Sequence, residues 1–295
     1  MEPVCFDNMA TVQGAPLVSL IESPVSSVSE VSLRYGDLLT HQLQSTLLTA
    51  LLIAGFTFLE LLRPASHRAS IHGQAINILI GLIVSVFAFF CIVLLILVAK
   101  LVWRDGLIGV VFPDWRKSGL LGQAISVFIY GATWDFFQYW FHRWQHESTV
   151  LWPSHRLHHS DSAVNTTTAL RRSILELLLI FAFILVPTVI IAGVDEIAAP
   201  IAFAIFYGWG FFNHANIHLS LGPLTPVFSG PQWHRLHHGI DQKYRDQNYA
   251  AYFPIIDIVF GTYRAPRKNE YPTTGVSDEF ATAHPLRDCF NPSRR

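Results

Sequence analysis

His142-Arg143-Trp144-Gln145-His146, His155-Arg156-Leu157-His158-His159, His214-Ala215-Asn216-Ile217-His218 and His234-Arg235-Leu236-His237-His238: these four stretches hold ten of the chain's fourteen histidines. The first and third read H-x-x-x-H, the second and fourth H-x-x-H-H, so one pattern is used twice. Histidines three or four apart on a helix share a face, one turn above the other. Each group can therefore aim two or three imidazoles at one point, and neutral imidazole is the commonest side-chain ligand for transition metals. A lone histidine is ordinarily a surface or core residue. Four groups at ligand spacing, two of them with the same five letters, read as a metal site. Ten imidazoles exceed what one ion takes and suit two neighbouring ions.

Outward from the histidines the chain is apolar. Of 295 residues, 51% are hydrophobic and 14% charged, with a net charge of −1, which excludes an ordinary soluble protein and gives no footing for nucleic acid. Cys5, Cys91 and Cys289 are far apart in sequence and form no C-x-x-C pair, so neither a disulfide framework nor a thiolate metal site is expected.

Residues 1–40 are Ser- and Val-rich with Glu2, Asp7, Glu22 and Glu30 against a single Arg34. No basic region precedes an apolar core, so they do not read as a signal peptide but as a loosely ordered lead-in ending in a short interfacial helix. Residues 41–118 form an N-terminal membrane region. Leu43 to Leu62 has the length to cross about 30 Å of hydrocarbon before Arg63-Pro64 stops it. Ile76 to Val102 is the strongest span, with Lys100 placed to snorkel and Trp103 at an interface. A connector from Arg104 to Ser118 follows.

Residues 119–264 carry the four histidine groups, and 265–295 read as a C-terminal tail. Gly119 to Phe141 is apolar but contains Asp135, two helical turns before His142 on the same face. That placement predicts either a carboxylate that orients a ligand imidazole or one that reaches water. Ile174 to Val194 and Ala198 to Phe212 form an apolar hairpin, punctuated by Pro187 and Pro200, that leaves after the second histidine group and returns before the third. Both its ends must lie on one side. If that side is cytoplasmic it holds fifteen of the twenty Lys and Arg, so charge favours a cytoplasmic histidine cluster. Asn248 to Tyr263 reads as an interfacial cap over the cluster.

Three classes of chemistry fit. A di-iron oxygenase would hold two irons on histidines and leave positions for O2, with the membrane supplying an apolar substrate and excluding water. A zinc hydrolase would need a general base, for which Glu147 is the nearest carboxylate in the first group. A metal-binding or transport protein would place its ligands within several spans. About five imidazoles per ion, clustered after the spans, favour the first. Affinity does not select iron, so zinc is also expected in purified protein.

The four boxes resemble those of the fatty acid hydroxylase/sterol desaturase superfamily. So do Trp134-Asp135-Phe136-Phe137-Gln138-Tyr139-Trp140-Phe141 before the first box, His158 to Arg172 after the second, and Asp246-Gln247-Asn248-Tyr249 with Asp257 to Tyr263 near the end. The resemblance spans about residues 119–264. It implies that His142, His146, His155, His158, His159, His214, His218, His234, His237 and His238 are catalytic metal ligands. It implies two Fe ions, O2 as co-substrate, and a lipid substrate (sterol-like, fatty acyl or alkylglycerol) that is hydroxylated or desaturated. The stretch Asn165 to Arg171 is most similar to the sterol desaturase-like and alkylglycerol monooxygenase branches. Asn248-Tyr249-Ala250-Ala251 departs from the Asn-Tyr-Gly of many relatives. No haem, dinucleotide or iron–sulfur signature is present. Electrons are therefore expected from a separate donor, a ferredoxin or a haem protein with its reductase. The fold expected is all-α: an integral membrane helical bundle of four or five apolar helices with a cytoplasmic histidine-rich helical cap holding two metals. With no organelle retention signal, a bacterial inner membrane is favoured over the endoplasmic reticulum.

Overall fold

The computed structural model describes residues 28–102, 106–111, 119–193, 195, 197–277 and 282–292. These divide into two compact units, Met1–Leu47 and Leu48–Arg295. The described part of the first is the start of α1, Val28–Leu62. Of the lead-in expected over residues 1–40, residues 1–27 lie outside the described residues, and from Val28 the chain is helical without a break to Leu62, in place of a separate short interfacial helix. The second unit carries α2 (Ile71–Val102), α3 (Gly106–Val111), α4 (Gly119–Glu147), α5 (Trp152–His159), α6 (Ile174–Ile180), α7 (Val186–Ala192), α8 (Ala198–His214), α9 (Pro231–His237), α10 (Ile255–Phe260) and α11 (Pro285–Phe290). Among the described residues there is no β-strand, only two isolated bridges, Pro64 with Ile217 and Gly239 with Thr274.

Three helical stretches are long and apolar enough to cross a bilayer: Leu43–Leu62, Ile71–Leu95 and Ile174–Ala192. Large apolar side chains such as Leu51, Phe58, Leu82, Phe90 and Leu94 point outward from the first two. A helix satisfies its own backbone, so such a surface is stable against hydrocarbon and not against water. The protein is an integral membrane protein. The second span begins at Ile71, five residues before the expected start, and the expected connector contains the short helix α3.

The apolar hairpin is present, and its proline explains its shape. Between α6 and α7 the helix widens into one π-helical turn, Phe181–Leu185, and Pro187 sits in the first turn of α7. A π turn next to a residue with no N–H accommodates the missing hydrogen bond without breaking the helix. Helix α8 packs against α4 where Gly131 faces the ring of Phe206; a Cβ there would lie 2.0 Å from that ring. Glycine is required at that crossing.

Polar contacts fasten the histidine-bearing elements to the spans. Glu60, near the end of α1, accepts hydrogen bonds from the Thr166 N–H (2.7 Å), the Thr166 hydroxyl (2.7 Å) and the Asn216 N–H (2.8 Å). The Asn165 to Arg171 stretch forms a 3-10 turn, Thr166–Leu170, closed by a reciprocal cap between Asn165 and Thr168. Arg171 then reaches back to the Leu157 carbonyl (2.9 Å), the Asn77 side-chain oxygen (3.0 Å) and the Ser160 hydroxyl (2.8 Å). The motif after the second box is thus a brace for α5, since every buried polar group it carries needs a partner.

Candidate metal centre

Each box sits at a helix end. His142 and His146 close α4, His155, His158 and His159 close α5, His214 is the last residue of α8, and α9 supplies His234 and His237 with His238 as its cap. Pro153 and Pro231 lie in the first turns of the two short helices, where a proline starts a helix at no cost in hydrogen bonds. Nine histidines meet in two groups: His142, His146, His155, His159 and His237, and His158, His214, His234 and His238. Within each group the ligand nitrogens all lie within 4.8 Å of one another.

The repeated H-x-x-H-H box has a structural meaning. Its first and last histidines, one turn apart, go to one group, and its middle histidine crosses to the other. His155 and His159 join the five-histidine group while His158 joins the four; His234 and His238 join the four while His237 joins the five. The two boxes therefore exchange one histidine each, which ties α5 to α9 through both groups.

Distances and tautomers indicate what fills these positions. In the first group the Nε2 atoms of His142 and His155 are 3.0 Å apart. His159 Nε2 lies 3.1 Å from those of His155, His146 and His237. In the second, His214 Nε2 lies 3.1 Å from His158 and 3.0 Å from His234, and His234 lies 3.2 Å from His238. Nitrogens about 2.1 Å from one ion are about 3.0 Å apart at right angles and about 3.4 Å apart in a tetrahedron. The short edges observed are of the size expected for nitrogens that share one ion.

Four rings have their tautomer fixed by the far nitrogen. His142 Nδ1 lies 2.7 Å from the Tyr249 carbonyl, His214 Nδ1 2.7 Å from the Gly210 carbonyl, and His237 Nδ1 2.9 Å from the Gln247 carbonyl. His155 Nδ1 lies 2.8 Å from a Glu176 carboxylate oxygen. A backbone carbonyl oxygen and an ionised carboxylate only accept, so with Glu176 ionised these Nδ1 atoms carry the proton and donate it, leaving a bare lone pair on Nε2. His142 and His155 thus face each other through two lone pairs at 3.0 Å, which is repulsive unless a cation lies between them. Burial lowers the proton affinity of all nine rings, to about 4 for His237 and about 3 for His214, so protonation does not supply that charge near neutral pH. The donor set fits two first-row divalent ions.

Two of the expected site residues stand elsewhere. His218 is exposed, its backbone N–H donates to the Arg63 carbonyl (2.8 Å), and its ring lies 4.5 Å from that of Tyr271. The reason is local: α8 ends at His214, Ala215 turns extended (φ −58°, ψ 131°), and Ile217 bridges to Pro64. The helical i to i+4 relationship on which the third box was read does not exist there.

Asp135 is fully buried, yet it does not touch His142. Its carboxylate accepts the backbone N–H groups of Ala251 (2.6 Å), Tyr252 (3.0 Å) and Phe253 (2.6 Å). It anchors the cap whose Tyr249 carbonyl holds His142, so its influence on the centre passes through the backbone of residues 249–253. The carboxylate that does touch a ligand ring is Glu176, 21 residues beyond His155 and buried at the start of α6. The sequence signal for it was the same as for Asp135, one acid in an apolar run. Glu147 lies at the surface in an i,i+4 pair with Arg143 (2.8 Å). Neither ion group contains a carboxylate or a thiolate.

Residues 127–262 match the fatty acid hydroxylase family. Alkylglycerol monooxygenase of Homo sapiens is 34% identical over 157 residues, covering 53% of this chain and 34% of that protein. Ornithine lipid hydroxylase OlsE of Rhizobium tropici is 28% identical over 152 residues, covering 50% of this chain and 44% of that protein. Very-long-chain aldehyde decarbonylase GL1-6 of Oryza sativa subsp. indica is 23% identical over 162 residues, covering 52% and 24%. The chain thus spans about a third of the length of the first curated relatives it matches. No solved structure matches it. The matched residues contain all nine clustered histidines together with Asp135 and Glu176, and over them the chain carries a fatty acid hydroxylase domain.

Proposed function

We propose that the protein is a membrane-bound di-iron oxygenase that hydroxylates or desaturates a lipid, with O2 as co-substrate and a separate electron donor such as a ferredoxin or a haem protein with its reductase. The reading rests on one observation above all: nine neutral imidazoles converge through Nε2 in two groups with no carboxylate among them. Two irons there would supply the oxidising power, drawn from O2 and two electrons, that an unactivated C–H bond requires. The chain's own residues do the rest. The nine rings hold the ions, the Tyr249, Gly210 and Gln247 carbonyls and Glu176 orient four of those rings, and burial keeps bulk water from the centre. The relatives named above include a lipid hydroxylase and a monooxygenase, which supports a lipid as substrate and oxygen insertion as the reaction.

Zinc hydrolysis is less well supported. Its general base must face the ion, but Glu147 is paired with Arg143 at the surface and Glu176 lies on the Nδ1 side of His155, facing away from it. A transporter would need ligands within the spans; here the nine histidines lie at or beyond helix ends. We place the cluster on the cytoplasmic side, from the Lys and Arg distribution, and favour a bacterial inner membrane.

The test compares lipids from cells with and without the protein by mass spectrometry, in air and under strict anaerobiosis. A lipid gaining one oxygen or losing two hydrogens only in air, and only with the protein, is the expected result. Conversion that persists without O2 would overturn the reading.

A further inference from the structure

The two ion positions are built from one repeated pattern, yet they are not equivalent. Each draws an i,i+4 pair from its own H-x-x-H-H box and one histidine from the other box. The five-histidine position adds both histidines of the first box, one turn apart on α4. The four-histidine position adds only His214, because α8 ends there and the partner expected one turn on, His218, is carried away to the surface.

The surroundings of the rings differ in the same direction. In the five-histidine group His142 and His237 donate through Nδ1 to backbone carbonyls, and His155 donates to the buried carboxylate of Glu176. In the four-histidine group only His214 has such a partner, a carbonyl; the Nδ1 atoms of His158, His234 and His238 are buried without one. A ring held through Nδ1 is pre-oriented, and a carboxylate there makes Nε2 a stronger donor to the ion. A ring with no such partner is oriented by packing alone, and fixing it on metal binding opposes affinity. Glu176 is itself held in place. Its backbone N–H donates to the Ser173 hydroxyl (3.0 Å), the Arg172 guanidinium donates to it (3.0 Å), and the Ser173 hydroxyl donates to the Ser154 carbonyl on α5 (2.8 Å).

We propose that the two ions bind in order: the five-histidine position is the tight one, with Glu176 as its positioning residue acting through His155, and the four-histidine position is the weaker one, with the vacant coordination. This rests on the dinuclear reading of the centre and not on its redox chemistry, so it can be tested with Zn2+ alone. The full chain in detergent, stripped of metal, is titrated with Zn2+ against a chromophoric chelator. Two binding steps separated by tenfold or more are expected. His234→Ala removes the weak step and leaves the tight one, whereas His146→Ala weakens the tight one. Glu176→Ala weakens the tight step by about 10–100-fold and leaves the weak step in place, the usual consequence of losing a partner behind a ligand histidine. Glu176→Gln keeps an acceptor oxygen for His155 and recovers part of that loss, which a merely structural defect would not show.

Two equal steps in the wild-type chain would overturn the proposal, and so would a Glu176→Ala chain with an unchanged tight step or a loss confined to the weak one. Two ordered steps in a protein that oxidises no lipid would leave the proposal standing and sink the proposed function. Equal steps in an active oxygenase would do the reverse.

Discussion

The carboxylate of Asp135 accepts the backbone N–H of Phe253 at 2.6 Å, across 118 residues of chain. With the Ala251 and Tyr252 N–H groups it makes a three-donor cradle that fixes the cap against α4. The same cap supplies the carbonyl that holds His142, and its Tyr252 ring lies 4.7 Å from Phe206 on α8. One acid therefore sets the position of the cap, a ligand ring and a helix crossing.

Asp135→Asn is expected to destabilise the fold by about 3 kcal/mol. It replaces one oxygen of a buried carboxyl group that accepts three backbone N–H groups with a fourth donor. Thermal unfolding in detergent should show the loss even in metal-free protein. A variant that unfolds at the wild-type temperature and still has weakened metal binding would restore a direct role in ligand orientation, one of the two roles the sequence offered.

His218 and His146 occupy the same place in the two H-x-x-x-H boxes but not in the structure. His218→Ala should bind two ions per chain and keep its activity, because the ring is exposed beside Tyr271. His146→Ala should lower activity at least about 100-fold, as loss of an ion ligand exceeds the effect of losing a partner behind one. Elemental analysis and turnover on the two variants, side by side, decide the matter. Equal damage from both would mean that His218 swings in to ligate.

The ligand rings also predict a pH dependence. Their proton affinity in the fold is depressed by burial, to about 4 for His237, while an unfolded histidine titrates near 6.5. The unfolded chain thus binds more protons between these values. The stability these rings contribute is present above about pH 6.5 and lost as pH falls through that window, at up to about 1.4 kcal/mol per pH unit for each ring that titrates. Metal-free protein should melt at a progressively lower temperature from pH 7 to pH 5, and bound metal should be released over the same range. A melting temperature flat from pH 7 to pH 5 would show that the rings are not buried as a neutral cluster.

Much of this was legible in the sequence because it depends on spacing along single helices. The pairs His142 with His146, His155 with His159, and His234 with His238 follow from one helical turn. The apolar runs gave Leu43–Leu62 as found and the second span with its start five residues late, while of the four or five apolar helices expected, three among the described residues are long and apolar enough to cross. What the spacing does not carry is where a helix stops. The third box reads like the first, but the exchange of hydrogen bonds between residues 63–66 and 216–218 ends α8 at His214, and nothing between His214 and His218 breaks a helix by itself. Long-range partners were equally hidden. Asp135 lies two turns from His142 along α4, but its donors come from more than a hundred residues away. Glu176 sits in the hairpin, and only the packing of α6 beside α5 brings it to His155.

The claim on which the rest depends is that this centre holds two ions. Purified protein stripped of metal, reconstituted anaerobically with excess Fe2+ and freed of loosely held iron, should retain two irons per chain by elemental analysis. A saturated value of one iron per chain would contradict the account.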